Sequence, residues 1–393
     1  MAAAVFTFAA NTRALYRIWQ RKQLKKMRKN RLENRQVRFS MNIRRISEAL
    51  AGRPSPVITV AGDYCLDEYF HIDASLDEPS VETGLTAWQV REIRRYAGVG
   101  GTIAANLASL GASVRAVGIY GGDGEGFELI QALKRLGVST DGMTLLEDRH
   151  TNTYLKPMRE VDGIWTELNR IDIRNREPVP ESAAAETIRQ LFAAAETSDA
   201  VIISDQFTLE AGSVVTEKFR EAVSSLGEKF PELFILADSR SFIEKYRNVT
   251  VKCNASELLK AVRRLQGNAA GNLIGADDEA EYQTERLETA ARYLARRNGK
   301  SVVVTLGENG SMTSDGETIT RVPAQRVEPP IDICGAGDAT NAGLAFGTAI
   351  GLSLTEAAYL AGVISSITIK QLGVTGTATI DQILEKLSFP ADF

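Results

Sequence analysis

Histidine and cysteine are scarce in this chain: its 393 residues include two histidines, His71 and His150, and three cysteines, Cys65, Cys253 and Cys334. Two widely separated imidazoles leave little material for a histidine-based metal cluster or a Ser-His-Asp triad. The cysteines are odd in number, far apart and without a CxxC pair, which suits a reducing compartment such as the cytoplasm and offers no metal site. No apolar run approaches the length of a membrane span, and residues 1–10 are too short and lack the basic start of a secretory signal. Low-complexity segments and internal repeats are also missing, and no linker divides the body. What remains is an ordinary globular composition, 44% hydrophobic and 24% charged, enough for one large α/β domain.

The net charge of −4 is unevenly spread, because residues 1–45 carry thirteen Lys and Arg against the single acid Glu33. This basic N-terminal extension has helical composition without a clear apolar face. Three readings stand: a solvated tail or upstream read-through ahead of a start at Met41, an arm for nucleic acid or an anionic surface, and an Arg-rich organellar presequence. The body that follows is acidic, which argues against general nucleic-acid binding there. It is expected to begin after Pro54 and Pro56.

The body opens with an apolar strand, Val57 to Ala61, that runs out into Gly62, Asp63 and Asp67. A strand ending in Gly and Asp is where open α/β sheets place their ligands, so both acids are candidates for binding polar hydroxyls. Residues 68–97 alternate polar and apolar, which predicts a small sheet with one wet face standing off the main one. The segment "AGVGGTIAANLASLGA" then reads as a Gly-rich turn opening a helix. Its Gly100 and Gly101 would let a ligand approach the backbone, with Asn106 further along the helix. After a strand from Ser113 to Tyr120 and a helix from Phe127 to Leu136, residues 143–170 predict three short strands, another part of the flap or a central hairpin layer.

From residue 181 onward, apolar strands alternate with amphipathic helices, the pattern of a parallel sheet covered on both faces. Asp205, Asp238, Asn254 and Gly307 fall at the carboxyl ends of such strands. The stretch "IDICGAGDATNAG", residues 331–343, is the most pointed feature. Its Gly-Ala-Gly turn can aim unpaired backbone N–H groups at one point where a helix begins, an arrangement that attracts anions. Asp338 follows directly and could take a proton from a nucleophile while the turn holds developing charge.

Four separated pieces in order, "GDYCLDEY", "GVGGTIAANLASLGA", "NASE" with "VTLGENG", and "DICGAGDATNAG", resemble the PfkB (ribokinase-like) carbohydrate kinase family over about residues 57–388. "ANLASLGA", "YRNVTVKCNASE" and "KQLGVTG" look most like the heptose-phosphate kinase branch. The resemblance implies a three-layer αβα fold with a mostly parallel central sheet and a small β-sheet lid. That kinase domain would span residues 55–390, with its lid at 68–97 and 150–170.

It also implies an ATP-dependent transfer to a hydroxyl of a sugar or sugar phosphate, heptose-7-phosphate-like, with Asp338 as general base. The amides of Gly335, Ala336 and Gly337 would stabilise the transferring phosphate. Asp67, Gly100, Gly101 and Asn106 match the sugar-binding positions, and Thr305, Gly307 and Gly310 the nucleotide turn. Asn254 and Glu257 match the pair that orders Mg²⁺ through water. Asp332, the Cys334 carbonyl and the loop from Gly373 to Thr377 match a monovalent-cation site, where K⁺ would sit. Arg94, Arg95, Lys156, Arg159 and Arg170 are available to a substrate phosphate or to solvent.

Departures are Ile333, where the family usually has Thr, and Gly362 in the adenine pocket. Bifunctional heptose enzymes carry a nucleotidyltransferase domain that this sequence does not contain, so a second activity is not expected. The partners implied are small molecules, with neither membrane nor nucleic acid for the body, and the lid admits a homodimer. The alternatives are a fructose-, ribose- or nucleoside-type kinase of the same family and a non-catalytic sugar- or nucleotide-binding relative.

Overall fold

A computed structural model describes residues 42–52, 55–161, 163–208, 212–266 and 280–388. Of the basic extension, residues 1–45, the part up to residue 41 lies outside the described residues, and the remainder leads into a helix. The core reaches further toward the N-terminus than the proline pair suggests. Helix α1 (Ile43–Ala51), capped by the Asn42 side chain, buries Ile46 and Leu50 against the main core.

The main sheet has nine strands among the described residues. In chain order they are β1 (Val57–Gly62), β6 (Ser113–Gly121), β7 (Ser139–Leu146), β11 (Ala200–Asp205), β12 (Phe234–Ser239), β13 (Thr250–Asn254), β14 (Val302–Thr305), β15 (Ser311–Ser314) and β16 (Ile319–Val322). Across the sheet the order is β16-β15-β14-β13-β12-β11-β1-β6-β7. From β7 to β14 every pairing is parallel, and β15 and β16 add an antiparallel edge.

Continuous apolar runs form these strands because both faces are covered. Along β11, Ala200 and Ile202 enter one core while Val201 and Ile203 enter the other. The first core is closed by α1, α2 (Gly100–Ser109), α3 (Gly124–Arg135), α8 (Ala336–Ala349), α9 (Leu354–Thr368) and α10 (Ile380–Ser388). The second is closed by α4 (Glu181–Ala195), α5 (Glu217–Lys229), α6 (Ala255–Gln266) and α7 (Ala280–Asn298). Helix α5 starts only at Glu217, well after the end of β11 at Asp205. Ser213 is spent on a buried hydrogen bond to Asp63, and Thr216 caps the helix.

The smaller sheet consists of β2 (Tyr64–Ile72), β5 (Val90–Val99), β8 (Thr153–Val161) and β10 (Ile171–Ile173), with β9 (Ile164–Glu167) paired to β8. A two-stranded ribbon, β3 (Glu78–Pro79) with β4 (Thr86–Ala87), connects β2 to β5. This is the flap expected at residues 68–97 and 150–170, with one correction. Residues 143–146 belong to β7, which pairs in parallel with β6 at the edge of the main sheet. Its alternating burial looked like flap because an edge strand is wetter than its neighbours.

Candidate active site

Parallel pairing brings the carboxyl ends of the strands abreast. Asp238 lies level with both Ser204 and Lys252, and Asn254 lies level with Thr305. Over this edge α8 begins. Its N-cap, Gly335, has φ 78°, a left-handed conformation that glycine adopts without strain. A Cβ there would also stand 3.3 Å from Thr375 Cγ2, so an added side chain would have to push that methyl back by a few tenths of an ångström. The turn leaves backbone N–H groups at the positive end of α8, and Asp338 sits in its first turn.

A cleft of about 380 Å³ opens in front of this turn, between the sheet edge and the smaller sheet. Gly335, Asp338 and Thr375 line it from one side, Cys65, Asp67, Tyr154 and Arg170 from another, and Gln206 and Arg240 from the strand ends. Asp338 is half-buried there. Burial, then the neighbouring Asp238 carboxylate, push its carboxyl up to about 7, against the opposing pull of Lys252 and Arg240. That value places a proton acceptor close to neutrality.

Asp67 projects from β2 and is held by Lys156 of β8, whose Nζ lies 3.2 Å from its Oδ1 and donates to the Tyr69 hydroxyl at 2.9 Å. Burial alone would lower the Lys156 ammonium, but Asp67 and Tyr69 hold it above its ordinary range. A Cβ on Gly98 would come within 2.5 Å of Asp67 Oδ2, so the glycine leaves room for that carboxylate.

The passage from β5 into α2 has no intervening loop. Val99 takes φ 58° and ψ −111°, strain for a β-branched residue, and Gly100 N–H donates to the Asp63 carbonyl at 3.0 Å. Gly100 and Gly101 are buried at this junction, beside Val99 and Thr102 of the cleft wall. Asn106 lies deeper. Its Nδ2 donates to the Thr102 carbonyl at 3.0 Å, and its buried Oδ1 has no hydrogen-bond partner.

Asp63 is not free for a ligand hydroxyl. Its carboxylate accepts from Gln206 N and Phe207 N, both at 2.9 Å, and from Ser213 Oγ at 2.6 Å. Asp205 is likewise engaged, by Arg220, Ser239 and Tyr246 in a buried network.

Asn254 and Glu257 close a reciprocal cap on α6. Asn254 N donates to Glu257 Oε2 at 2.8 Å, and Glu257 N donates to Asn254 Oδ1 at 2.9 Å. The cap uses one oxygen of the carboxylate and leaves Oε1 available. One free carboxylate oxygen is a donor suited to a hydrated cation held through water. Asp332 accepts from Cys334 N at 2.9 Å and from Gly373 N at 3.1 Å, which ties the 373–377 loop to the turn. Its oxygens keep lone pairs for a hard cation. Thr305, Gly307 and Gly310 form the end of β14 and the bend into β15, with Gly307 and Gly310 at φ 59° and 81°.

The five basic residues divide. Arg95 pairs with Glu68 at 2.5 Å and Arg159 with Asp77 at 2.7 Å, both on the face of the small sheet away from Asp67. Arg94 forks onto Glu92. Lys156 holds Asp67, and Arg170 lines the cleft.

Sequence reasoning passed over Arg174, Arg240 and Lys252. Arg170 and Arg174 both stack on Tyr154, 4.7 and 5.2 Å from its ring, and both reach Asp172. Lys252 did leave a signal, because a charge inside the otherwise buried run "VTVKCN" must be paired or put to use.

The model of the pfkB family carbohydrate kinases matches residues 64–381. The bifunctional protein HldE of Desulfatibacillum aliphaticivorans is 28% identical over 327 residues, covering 83% of this chain and 61% of that protein. HldE of Trichlorobacter lovleyi is 29% identical over 350 residues, covering 88% and 66%. The chain thus spans less than two thirds of the length of these relatives.

Among solved structures, ribokinase of Arabidopsis thaliana complexed with ribose and ATP aligns with a TM-score of 0.60 at 18% identity, covering 86% of this chain and all of that one. Escherichia coli phosphofructokinase-2 in complex with potassium aligns at 0.64 and 20%, covering 86% of this chain and 100% of that one. At these identities the likeness is one of fold.

Proposed function

The chain belongs to the pfkB family of carbohydrate kinases, and on that footing we propose that it transfers the γ-phosphoryl group of ATP to a hydroxyl of a sugar phosphate resembling heptose 7-phosphate. The observation that carries this reading is the placement of Asp338. It follows an anion-holding turn at a helix N-terminus, its carboxyl is raised to about 7, and it shares one cleft with Asp67.

In this reading Asp67, steadied by Lys156, accepts from substrate hydroxyls and turns one of them toward Asp338. Asp338 takes the hydroxyl proton, and the alkoxide oxygen attacks the γ-phosphorus. The bond from that phosphorus to the β,γ-bridging oxygen breaks, and ADP leaves. The N–H groups of Gly335 and Gly337 meet the charge on the transferring group, whereas that of Ala336, expected to share the role, donates to the Ile333 carbonyl at 3.1 Å. Asn254 and Glu257 would order the hydrated Mg²⁺ that accompanies the nucleotide and neutralises phosphate charge. Asp332 and the 373–377 loop would hold a monovalent cation such as K⁺ beside the turn.

A phosphorylated sugar is favoured over a neutral one by Arg170 and Arg174, which give the cleft a cationic wall beside Tyr154. The small sheet would act as a lid that excludes water during transfer, and as the surface of a homodimer. An ATP-consumption screen over hexoses, heptoses, their phosphates and nucleosides tests the proposal. Turnover highest with a heptose or hexose monophosphate is expected. Turnover confined to nucleosides or unphosphorylated sugars would contradict the substrate class, and ATP consumption with none of them would contradict the activity.

A further inference from the structure

Asp63 occupies the bend between β1 and β2 and is only 2% exposed. Burial, then the Asp205 carboxylate, push its carboxyl up to about 7, so the surroundings resist a charge there. The donors that oppose this shift all come from the stretch of chain that follows β11. Gln206 N and Phe207 N share its Oδ2, and Ser213 Oγ donates to its Oδ1. The carboxylate therefore grips that stretch at two places, 206–207 and 213. An ionised carboxylate offers two accepting oxygens, whereas a carboxamide of the same shape offers one.

What the gripped stretch does follows from its other contacts. Gln206, Phe207, Thr208 and Gly212 line the cleft, while Asp63 and Ser213 stand behind it. Gly212 meets the chain leaving β10. A Cβ on it would stand 2.5 Å from the Asn175 carbonyl oxygen, so the two backbones touch. Asn152, just before β8, ties this contact. Its Nδ2 donates to the Gly212 carbonyl at 3.4 Å, and its Oδ1 accepts from Asn175 N and Nδ2 at 3.1 and 3.3 Å. Arg174 precedes Asn175 and stacks on Tyr154 in the cationic wall of the cleft. An unbroken run of contacts thus joins the main sheet to the small one, from Asp63 through Ser213 and Gly212 to Asn152, Asn175 and Arg174.

We propose that Asp63 is a positioning residue for the phosphate end of the substrate. Its carboxylate fixes residues 206–207 and 213 and, through Gly212 and Asn175, fixes where Arg174 stands in the cleft wall. The inference rests on the sugar-phosphate reading above. Asp63 touches neither the substrate nor the reacting atoms, and no proton passes through it.

The test uses the full chain carrying Asp63→Asn, which keeps the shape of the side chain and removes its charge. Steady-state kinetics use the sugar monophosphate turned over fastest in the screen described above. Its KM is expected to rise about tenfold, as for the loss of one charge-assisted hydrogen bond. The kcat should stay within about threefold of the unmodified protein, because the transfer step itself is untouched, and KM for ATP should not move. A fall in kcat with the sugar KM unmoved would overturn the proposal.

Amide hydrogen exchange followed by mass spectrometry reads the same relay without turnover. Asp63→Asn is expected to speed exchange in residues 204–208 and 171–176 alike, while residues 250–254 of β13 keep their unmodified rate. Faster exchange at 204–208 alone would confine the grip to its own loop and overturn the proposal, as would equal acceleration in all three segments. Ser213→Ala, a smaller lesion in the same grip at a residue outside the cleft, is measured in the same way should Asp63→Asn not fold, and the same outcomes decide. Failure of every sugar phosphate to turn over would contradict the kinase reading, while the exchange result would still decide whether Asp63 positions Arg174.

Discussion

Lys156 and Asp67 form an ion pair of 3.2 Å across neighbouring parallel strands of the smaller sheet, with both side chains largely buried. Removing the ammonium leaves a buried carboxylate without its counter-charge, which is far worse than losing an exposed pair. Lys156→Met is therefore expected to raise KM for the sugar by about tenfold or more, roughly 1.4 kcal/mol of binding. KM for ATP should not move. Steady-state kinetics with each substrate varied checks this, and an unchanged sugar KM would mean that Asp67 is oriented without Lys156.

The acidity of Asp338 predicts the pH profile. Burial and Asp238 raise its carboxyl to about 7, so the acceptor form fills as pH rises through that value. Below it, kcat/KM should fall about tenfold per pH unit, and above it the profile should level off. The same shift carries a stability consequence. A carboxyl raised in the folded protein adds stability below its unfolded value of 3.8 and loses it as pH rises through about 7. Asp338→Asn should thus raise the melting temperature more at pH 8 than at pH 4. A flat profile from pH 5 to 8 would remove Asp338 as the titrating group.

Gly335 joins two constraints, a left-handed φ of 78° and a 3.3 Å approach to Thr375. Alanine there costs roughly 1–2 kcal/mol of backbone strain, relieved by tilting the turn away from its anion. The expected outcome of Gly335→Ala is a folded protein with kcat reduced by at least tenfold and sugar KM nearly unchanged. Wild-type kcat would show that the turn does not act on the transferring group.

Much of this was legible in the sequence, for definite reasons. Parallel strands covered on both faces must be continuous apolar runs, so β1, β11, β12 and β14 announced themselves, and their carboxyl ends located the cleft. Gly335 and Asp338 were legible because a positive φ before a helix calls for glycine. The fate of Asp63 was not, since its hydroxyl partner Ser213 lies 150 residues away. Val99 ran against its own local preference at φ 58°, which no propensity reveals. Arg174 and Arg240 carried no spacing signature, because long flexible cations reach a cleft from many positions.

Arg170 and Arg174 flank Tyr154 on the cleft wall and share Asp172. Replacing both with alanine should raise KM for a sugar monophosphate by about 100-fold, as befits the loss of charge-assisted bonds to phosphate. Any turnover of the corresponding unphosphorylated sugar should be little altered. Equal losses on both substrates would assign the pair a structural role instead.

The central claim is that Asp338 takes the proton from the sugar hydroxyl. Its most direct measurement is single-turnover phosphoryl transfer from ATP by Asp338→Asn, alongside nucleotide affinity by calorimetry. The account predicts transfer reduced by about 10³-fold or more, as expected when both proton removal and orientation are lost, with ATP binding within a few-fold of the unmodified protein. Transfer at the unmodified rate, with ATP bound equally well, would contradict it.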